Sequence, residues 1–310
     1  MASFAAVPPG IGAVAHRIVH GGRFVEPVLI EPSIENELRA LGELAPLHTH
    51  RALEVAAEAR RLFPDIPHVA VFDTAFHATL PDEASTFAVP LRWREEWGIR
   101  RYGFHGLSVQ WSSEQVRVPR LVVCHLGGGC SVTAVRDGRS VDTTMGFSPL
   151  DGVPMSTRSG TIDPEIIFHL LRNKRVELEE LDRLLEEESG LLGVSGISGH
   201  VEELEASTEP SAQLALRIFG HRVAAAVSAM ATAVGGLDAL VFTAGVGEHS
   251  PSVRADVCRR LGFLGVELDD ARNQADTYGE IGSEGSAVRV VVVEAREDVI
   301  AARQARTVLS

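Results

Sequence analysis

The stretch LVVCHLGGGCSVTAVRDGRSVDTTM, residues 121–145, decides how this chain is expected to fold. Two β-rich runs are parted by Gly127, Gly128 and Gly129, and a third follows the Asp137-Gly138 pair. That dipeptide marks a tight hairpin, because its turn requires positive φ at the central residues. Three successive strands in a meander are predicted. The first turn, bare of side chains, is able to offer successive N–H groups to a phosphate, although glycine-rich hairpins without ligands are common.

Toward the amino terminus, HVAVFDTAF at 68–76 has strand character, and residues 34–62 show helical spacing interrupted at Pro46. AHRIVHGG at 15–22 suits a strand ending in a turn. Toward the carboxyl terminus, Asp163-Pro164 supplies a cap and a first-turn proline for one helix, and helical periodicity continues at 175–188 and 211–235. LDALVFTAGVGEHS at 237–250 then gives a buried strand, a glycine turn and a new helix, and a strand at 288–294 and a helix at 297–308 finish the chain. No repeat of solenoid period is present. The alternation predicts a mixed α/β protein.

Bulk properties narrow the function. The chain has 310 residues, enough for one large or two medium domains, with 45% hydrophobic and 23% charged residues, which is globular rather than disordered usage. A formal charge of -13 opposes nucleic acid and anionic membrane as partners, so any phosphate site must be a local basic pocket. Three cysteines, Cys124, Cys130 and Cys258, have neither metal-type spacing nor the number for a disulfide framework, which suits a reducing cytoplasm. The first residues lack a basic start and are broken by Pro8 and Pro9, unlike a signal peptide, and no run reaches the roughly 18 apolar residues of a membrane helix.

Several residues have the chemistry of an anion site. Arg17 lies between two histidines and ahead of two glycines, and Asp73 ends a buried apolar run, where a carboxylate is costly unless it meets a cation, a proton or a metal. His105 sits between Gly103 and Gly106 after the aromatic Phe104, although a core histidine would look the same. Arg158, in the Ser/Thr/Gly loop MSTRSGTIDP ahead of the capped helix, is placed where a guanidinium clamps phosphoryl or carboxylate groups. FTAGVGE at 242–248 forms the strand-to-helix turn that nucleotide sites use, and that a purely structural turn uses as well.

In order, AHRIVHGG, APLHTH, VFDTAFHATLP, RRYGFHG, HLGGGCSV, GFSPLDGVPMSTRSGTIDP, SGISG, LVFTAGVGEHSPSVR and EDVIAAR resemble the sequence of an acetate or propionate kinase. The resemblance implies the sugar kinase, Hsp70 and actin fold, two ribonuclease-H-like domains closing on a nucleotide, and the reaction of acetate with ATP to give acetyl phosphate and ADP. It implies a first domain made of residues 1–77 and 297–310, and a second of 78–296 carrying nucleotide-binding and dimerisation elements. Arg17, Asp73, His105 and Arg158 would be catalytic, with Val19, Leu47, His48, Phe104 and Pro149 around the substrate. His125, Gly127, Gly128, Gly129, His200, Val201, Glu202, Gly245, Val246, Gly247 and Glu248 would bind nucleotide and phosphate. Glu297, with Asp73, would organise magnesium or manganese. A homodimer is implied by the same analogy.

Two departures from the family accompany these expectations. The segment that should precede AHRIVHGG, a strand and a phosphate-binding turn, is expected to be missing, leaving the first domain incomplete and the chain as it stands weak in transfer. After SGIS the chain reads Gly199, His200, Val201, Glu202 where the family usually carries a small polar residue, an Asp, an apolar residue and an Arg, and Gly128 stands where an asparagine is frequent. An acid near a polyphosphate costs Coulomb energy, so pyrophosphate as donor, or an inactive nucleotide-binding remnant, are the alternative readings.

Overall fold

The computed structural model describes residues 10–41, 46–275 and 277–310, and of 46–50 the backbone alone. Its strands are β1 (Val14–Ile18), β2 (Val28–Leu29), β3 (His68–Phe72), β4 (Arg120–Leu126), β5 (Cys130–Arg136), β6 (Arg139–Thr143), β7 (Ala239–Thr243), β8 (Gly279–Glu280) and β9 (Arg289–Val292). They form a three-stranded sheet of order β1-β3-β2 and a six-stranded sheet of order β6-β5-β4-β7-β9-β8.

The larger sheet is built around residues 121–145. β4, β5 and β6 pair antiparallel as the predicted meander, whereas β7 and β9 join β4 in parallel. Parallel neighbours need covered faces, and β4 shows both faces buried with a period of two. Val122, Cys124 and Leu126 face the core under the helix Pro210–Val234, while Leu121 and Val123 face Val109, Val116 and Val241. The helix Pro210–Val234 opens with a proline in its first turn and ends at Gly235 with φ 74°. By length and composition it passes as a membrane span, but Ala215, Phe219, Val223 and Val227 are buried against the sheet, which is the behaviour of a core helix.

The smaller sheet is covered on both sides as well. Ala70 and Phe72 of β3 pack with Leu38 and Leu53 from the helices Pro32–Ala40 and Pro46–Leu62, the two pieces into which the region around Pro46 divides the 34–62 pattern. Val69 and Val71 pack with Ile300, Ala301 and Ala305 of the last helix, Glu297–Leu309, and with Leu107 of the helix Gly106–Gln115. The carboxyl-terminal helix is thereby returned to the amino-terminal sheet, and its first residue, Glu297, to the end of β1 and β3.

Candidate active site

The parallel pairing of β1 with β3 sets Arg17 beside Val71 and brings Asp73, just past β3, to its side chain. The Asp73 amide donates to the Ile18 carbonyl at 3.1 Å, extending the pairing by one step. Arg17 Nε lies 2.9 Å from Asp73 Oδ1 and Nη2 lies 2.7 Å from Oδ2, a bidentate pair in which the carboxylate is 1% exposed. A third contact, Nη1 to Glu297 Oε1 at 3.6 Å, comes from the last helix. Asp73 above all, with Glu297 assisting, pushes the Arg17 guanidinium still further toward its charged form. The guanidinium of Arg17 is thus a fixed cation at the mouth of a cleft.

His105 enters from the opposite side. It caps the helix Gly106–Gln115 with φ 59°, an uncommon conformation for a residue with a side chain. The reason is local: the Gly106 amide donates to the Asp73 carbonyl at 2.9 Å, and a Cβ on Gly106 would lie 2.2 Å from that oxygen. Only glycine lets the helix start so close to the end of β3. The His105 ring stacks on His125 of β4, with centroids 4.0 Å apart and planes 19° apart. Burial drives both imidazoles to the neutral form: His105 falls well below its usual pKa, helped by His125, Arg17 and Arg158, and His125 falls to about 3, helped by Arg17.

Arg158 is held by a tightly folded loop. The Met155 amide donates to the Arg158 carbonyl at 3.0 Å and the Leu191 amide to the Met155 carbonyl at 2.9 Å. Gly190, at φ 61°, permits this approach, since a Cβ there would lie 2.2 Å from the Met155 carbonyl oxygen. The guanidinium donates through Nη1 to the Pro149 carbonyl at 2.9 Å, and its Nε lies 3.6 Å from Glu186 Oε2. Burial raises the Glu186 carboxyl pKa while Arg158 holds it down. A Cβ built on Gly129 would sit 3.2 Å from His105 Nε2 and 3.3 Å from Arg158 Nη2, so the two donors converge beside that residue.

These groups enclose a cavity of about 270 Å³ lined by Arg17, Val19, Asp73, Phe104, His105, Gly129, Pro149 and Arg158. Seven of the eight come from the expected catalytic and substrate sets, and Gly129 from the phosphate turn. Leu47 and His48 have side chains outside the described residues. Two cations and a neutral imidazole beside an apolar wall of Val19, Phe104 and Pro149 suit a small anion with a short alkyl group.

A second cavity, about 570 Å³, adjoins the other side of the glycine turn. Gly127, Gly128, His200, Val201, Glu202, Gly245 and Val246 line it, together with residues the sequence did not single out, among them Ser156, Glu205, His249 and Ser250. Gly247 and Glu248 do not: the Gly247 carbonyl accepts from Arg254 Nη1, and the Glu248 carboxylate accepts from the Ala295 amide and the Tyr278 hydroxyl. These two brace the turn from behind. His125 is likewise withdrawn into the stack with His105, and its Nδ1 meets Ser108 Oγ at 2.9 Å. Among the described residues no Lys or Arg lines this second cavity, which leaves backbone N–H groups of the glycine turns, with His200 and His249, to meet a phosphate.

Among the described residues no three His, Cys, Asp or Glu side chains gather as a cage for a cation. Asp73 spends both oxygens on Arg17, whereas Glu297 contacts the same arginine only at 3.6 Å. A magnesium ion keeps several waters and needs one or two carboxylates besides phosphate oxygens, which Glu297 can satisfy.

The profile of the acetokinase family matches residues 6–303. The acetate kinase of Nostoc punctiforme is 46% identical over 301 residues, 93% of this chain and 74% of the relative, and that of Leifsonia xyli is 46% identical over 308 residues, 95% of this chain and 78% of the relative. Among solved structures, a propionate kinase from Francisella tularensis superposes with a TM-score of 0.90 at 39% identity, covering 94% of this chain and 78% of that one. The acetate kinase of Porphyromonas gingivalis gives 0.89 at 35% identity, covering 97% and 79%. A match over nearly the whole chain in sequence, and the same fold in the solved relatives, establish that the chain belongs to the acetokinase family.

Proposed function

We propose that the chain transfers a phosphoryl group between ATP and acetate, ATP + acetate = ADP + acetyl phosphate. The observation that carries this reading is the cavity in which Arg17, His105 and Arg158 surround a space walled by Val19, Phe104 and Pro149, separated from a larger cavity by the glycine turn at 127–129. Acetate and propionate kinase relatives favour a nucleotide donor over pyrophosphate and over an inactive remnant.

An acetate oxygen is already an anion, so no strong base is needed. It forms a bond to the γ-phosphorus as the bond to the bridging oxygen breaks, and the electron pair leaves with ADP. The remaining task is charge neutralisation with in-line positioning. Arg17, locked by Asp73, and Arg158, locked by the Pro149 carbonyl, supply fixed positive charge on two sides of the transferring group. His105 supplies a neutral donor, and the glycine turn, whose Gly127 amide is spent on the Gly129 carbonyl, leaves the N–H groups of Gly128 and Gly129 for phosphate. A magnesium or manganese ion held by Glu297 and phosphate oxygens would neutralise polyphosphate charge when bound.

The division into residues 1–77 with 297–310 and residues 78–296 is part of this reading, supported by the packing of the last helix on β3. So is a homodimer through the larger part. Its helix Pro164–Arg172 buries none of its residues and exposes the apolar side chains of Ile166 and Phe168, which a second copy would cover. A cytoplasmic location accords with the three free, buried cysteines.

The deciding experiment measures acetyl phosphate, trapped as the hydroxamate, from the purified chain with acetate and a panel of ATP, GTP and pyrophosphate. Product with ATP and none without acetate is expected. Product with pyrophosphate alone, or with no donor, would refute the assignment.

A further inference from the structure

We propose that Ser131 and Ser108 are positioning residues that fix which ring nitrogen of His105 and His125 carries the proton, so that His105 presents Nε2–H to the transferring phosphoryl group. The proposal rests on the transfer reaction inferred above for its kinetic consequence, and on hydrogen-bond geometry alone for the tautomers.

His105 Nδ1 lies 3.0 Å from Ser131 Oγ, and His125 Nδ1 lies 2.9 Å from Ser108 Oγ. Both serines are 0% exposed, and neither hydroxyl has another hydrogen-bond partner among the described residues. A hydroxyl carries one proton that must go to an acceptor. If the ring donated from Nδ1, that proton would be buried without a partner, which costs roughly the desolvation of a hydroxyl. With the ring neutral and Nδ1 bare, the serine donates, Nδ1 accepts and the hydroxyl proton has its partner. The single ring proton then sits on Nε2.

A third pair in the same wall shows the arrangement where its polarity is forced. His77 Nε2 lies 2.9 Å from the Phe104 carbonyl, which can only accept, so Nε2 carries the proton. Burial lowers the His77 pKa to about 4, so the ring is neutral and its Nδ1 must accept; the group 2.8 Å from it is the hydroxyl of buried Ser140. Serine to Nδ1 with the proton on Nε2 is thus already used one residue away from His105, on the carbonyl that precedes it.

The position of that proton decides the sign of the interaction. His105 Nε2 points past Gly129 toward the space it shares with Arg158 Nη2. Burial and the two neighbouring arginines keep the imidazole neutral, so it has one proton to offer. On Nε2 it donates to an equatorial phosphoryl oxygen; on Nδ1 it would leave a lone pair facing an anion. Because His125 stacks on His105 at 4.0 Å, the second serine also fixes the ring against which the first is oriented.

The test is imidazole nitrogen NMR of the full chain at neutral pH, with signals assigned by their loss in His105→Gln and His125→Gln, alongside kinetics of Ser131→Ala. Wild type is expected to show both rings with proton on Nε2 and Nδ1 bare, and Ser131→Ala to move His105 toward a mixture of tautomers. Its kcat should fall roughly tenfold with KM for acetate and nucleotide within about twofold, and it should cost no more in the His105→Gln background. Ser108→Ala should move His125 in the same way, so misfolding of one variant leaves the other to decide. A wild-type His105 protonated on Nδ1, an unchanged tautomer in the alanine variants, or a kcat loss undiminished in His105→Gln would overturn the proposal. If the chain makes no acetyl phosphate, the assigned reaction fails while the spectra still decide the tautomers.

Discussion

Arg17 and Asp73, 56 residues apart in sequence, meet as a bidentate ion pair at the open end of the small sheet, with Arg17 Nη2 2.7 Å from Asp73 Oδ2. The carboxylate orients the cation that faces the cavity. Asp73→Asn keeps the shape and removes the charge, so the Arg17 side chain should lose its fixed position. A fall in kcat of about a hundredfold is expected, with a melting temperature within a few degrees of wild type. Steady-state kinetics and a thermal melt on one preparation check this; an unchanged rate would separate the pair from catalysis.

Arg158 both faces the cavity and donates to the Pro149 carbonyl, so it supports the charge and the apolar wall together. Arg158→Ala should remove most transfer, by about a hundredfold or more, as expected for a donor at a developing charge. Arg158→Lys should recover little of it, because an ammonium cannot keep the Pro149 contact and present a second planar donor at once. Recovery to near wild type in the lysine variant would show that charge alone suffices.

Gly129→Ala places a methyl group 3.2 Å from His105 Nε2 and 3.3 Å from Arg158 Nη2. The backbone there has no positive φ, so the fold should tolerate it and the melting temperature should stay put. The two donors must move apart, and kcat should drop by tenfold or more. The paired readout of melting and turnover distinguishes a blocked site from a damaged fold.

Val19 forms part of the apolar wall with Phe104 and Pro149. Val19→Ala makes room for about one methylene, so efficiency with propionate relative to acetate should rise by up to about tenfold. Competition between the two carboxylates measures the ratio directly, and a constant ratio would exclude Val19 from the pocket.

Stability should fall as pH drops from 6.5 toward 4. Burial lowers His16, His20 and His77 from 6.5 to about 4 and His125 to about 3. The unfolded chain therefore binds more protons in that window, and stability is complete above 6.5 and lost as pH falls through it. Each histidine adds a slope of up to about 1.4 kcal/mol per pH unit. Urea midpoints at pH 7, 6 and 5 should decrease progressively, and His77→Gln should flatten the trend; a flat wild-type curve would contradict neutral burial.

Elements with strong local signals were legible in the sequence. The glycine cluster at 127–129 and the Asp137-Gly138 turn between β-rich runs gave the meander, and Asp163 caps its helix by accepting from the Glu165 amide. Bounds moved where tertiary packing governs: the 288–294 strand is Arg289–Val292, and the 175–188 pattern is the helix Leu178–Glu187 followed by a separate turn of helix at Gly190–Ser195. The helix Gly106–Gln115 gave no signal, because its start is a left-handed histidine and it is buried on several sides, which erases amphipathic contrast. The side chains that tune the site were also silent. Ser131 is 26 residues from His105, and Glu186 is as far from Arg158 as the Leu178–Glu187 helix makes it. A lone serine or glutamate carries no motif until the fold brings it to a ring nitrogen or a guanidinium.

The hydrogen bond from the Gly106 amide to the Asp73 carbonyl ties the end of β3 to the start of the helix Gly106–Gln115, with Asp73 on one side and His105 on the other. One peptide contact thus serves as a common datum for both banks of the smaller cavity. The carboxylate that aims Arg17 and the imidazole that faces it are each measured from that contact, and no side chain longer than a hydrogen atom fits at position 106 to lengthen the step.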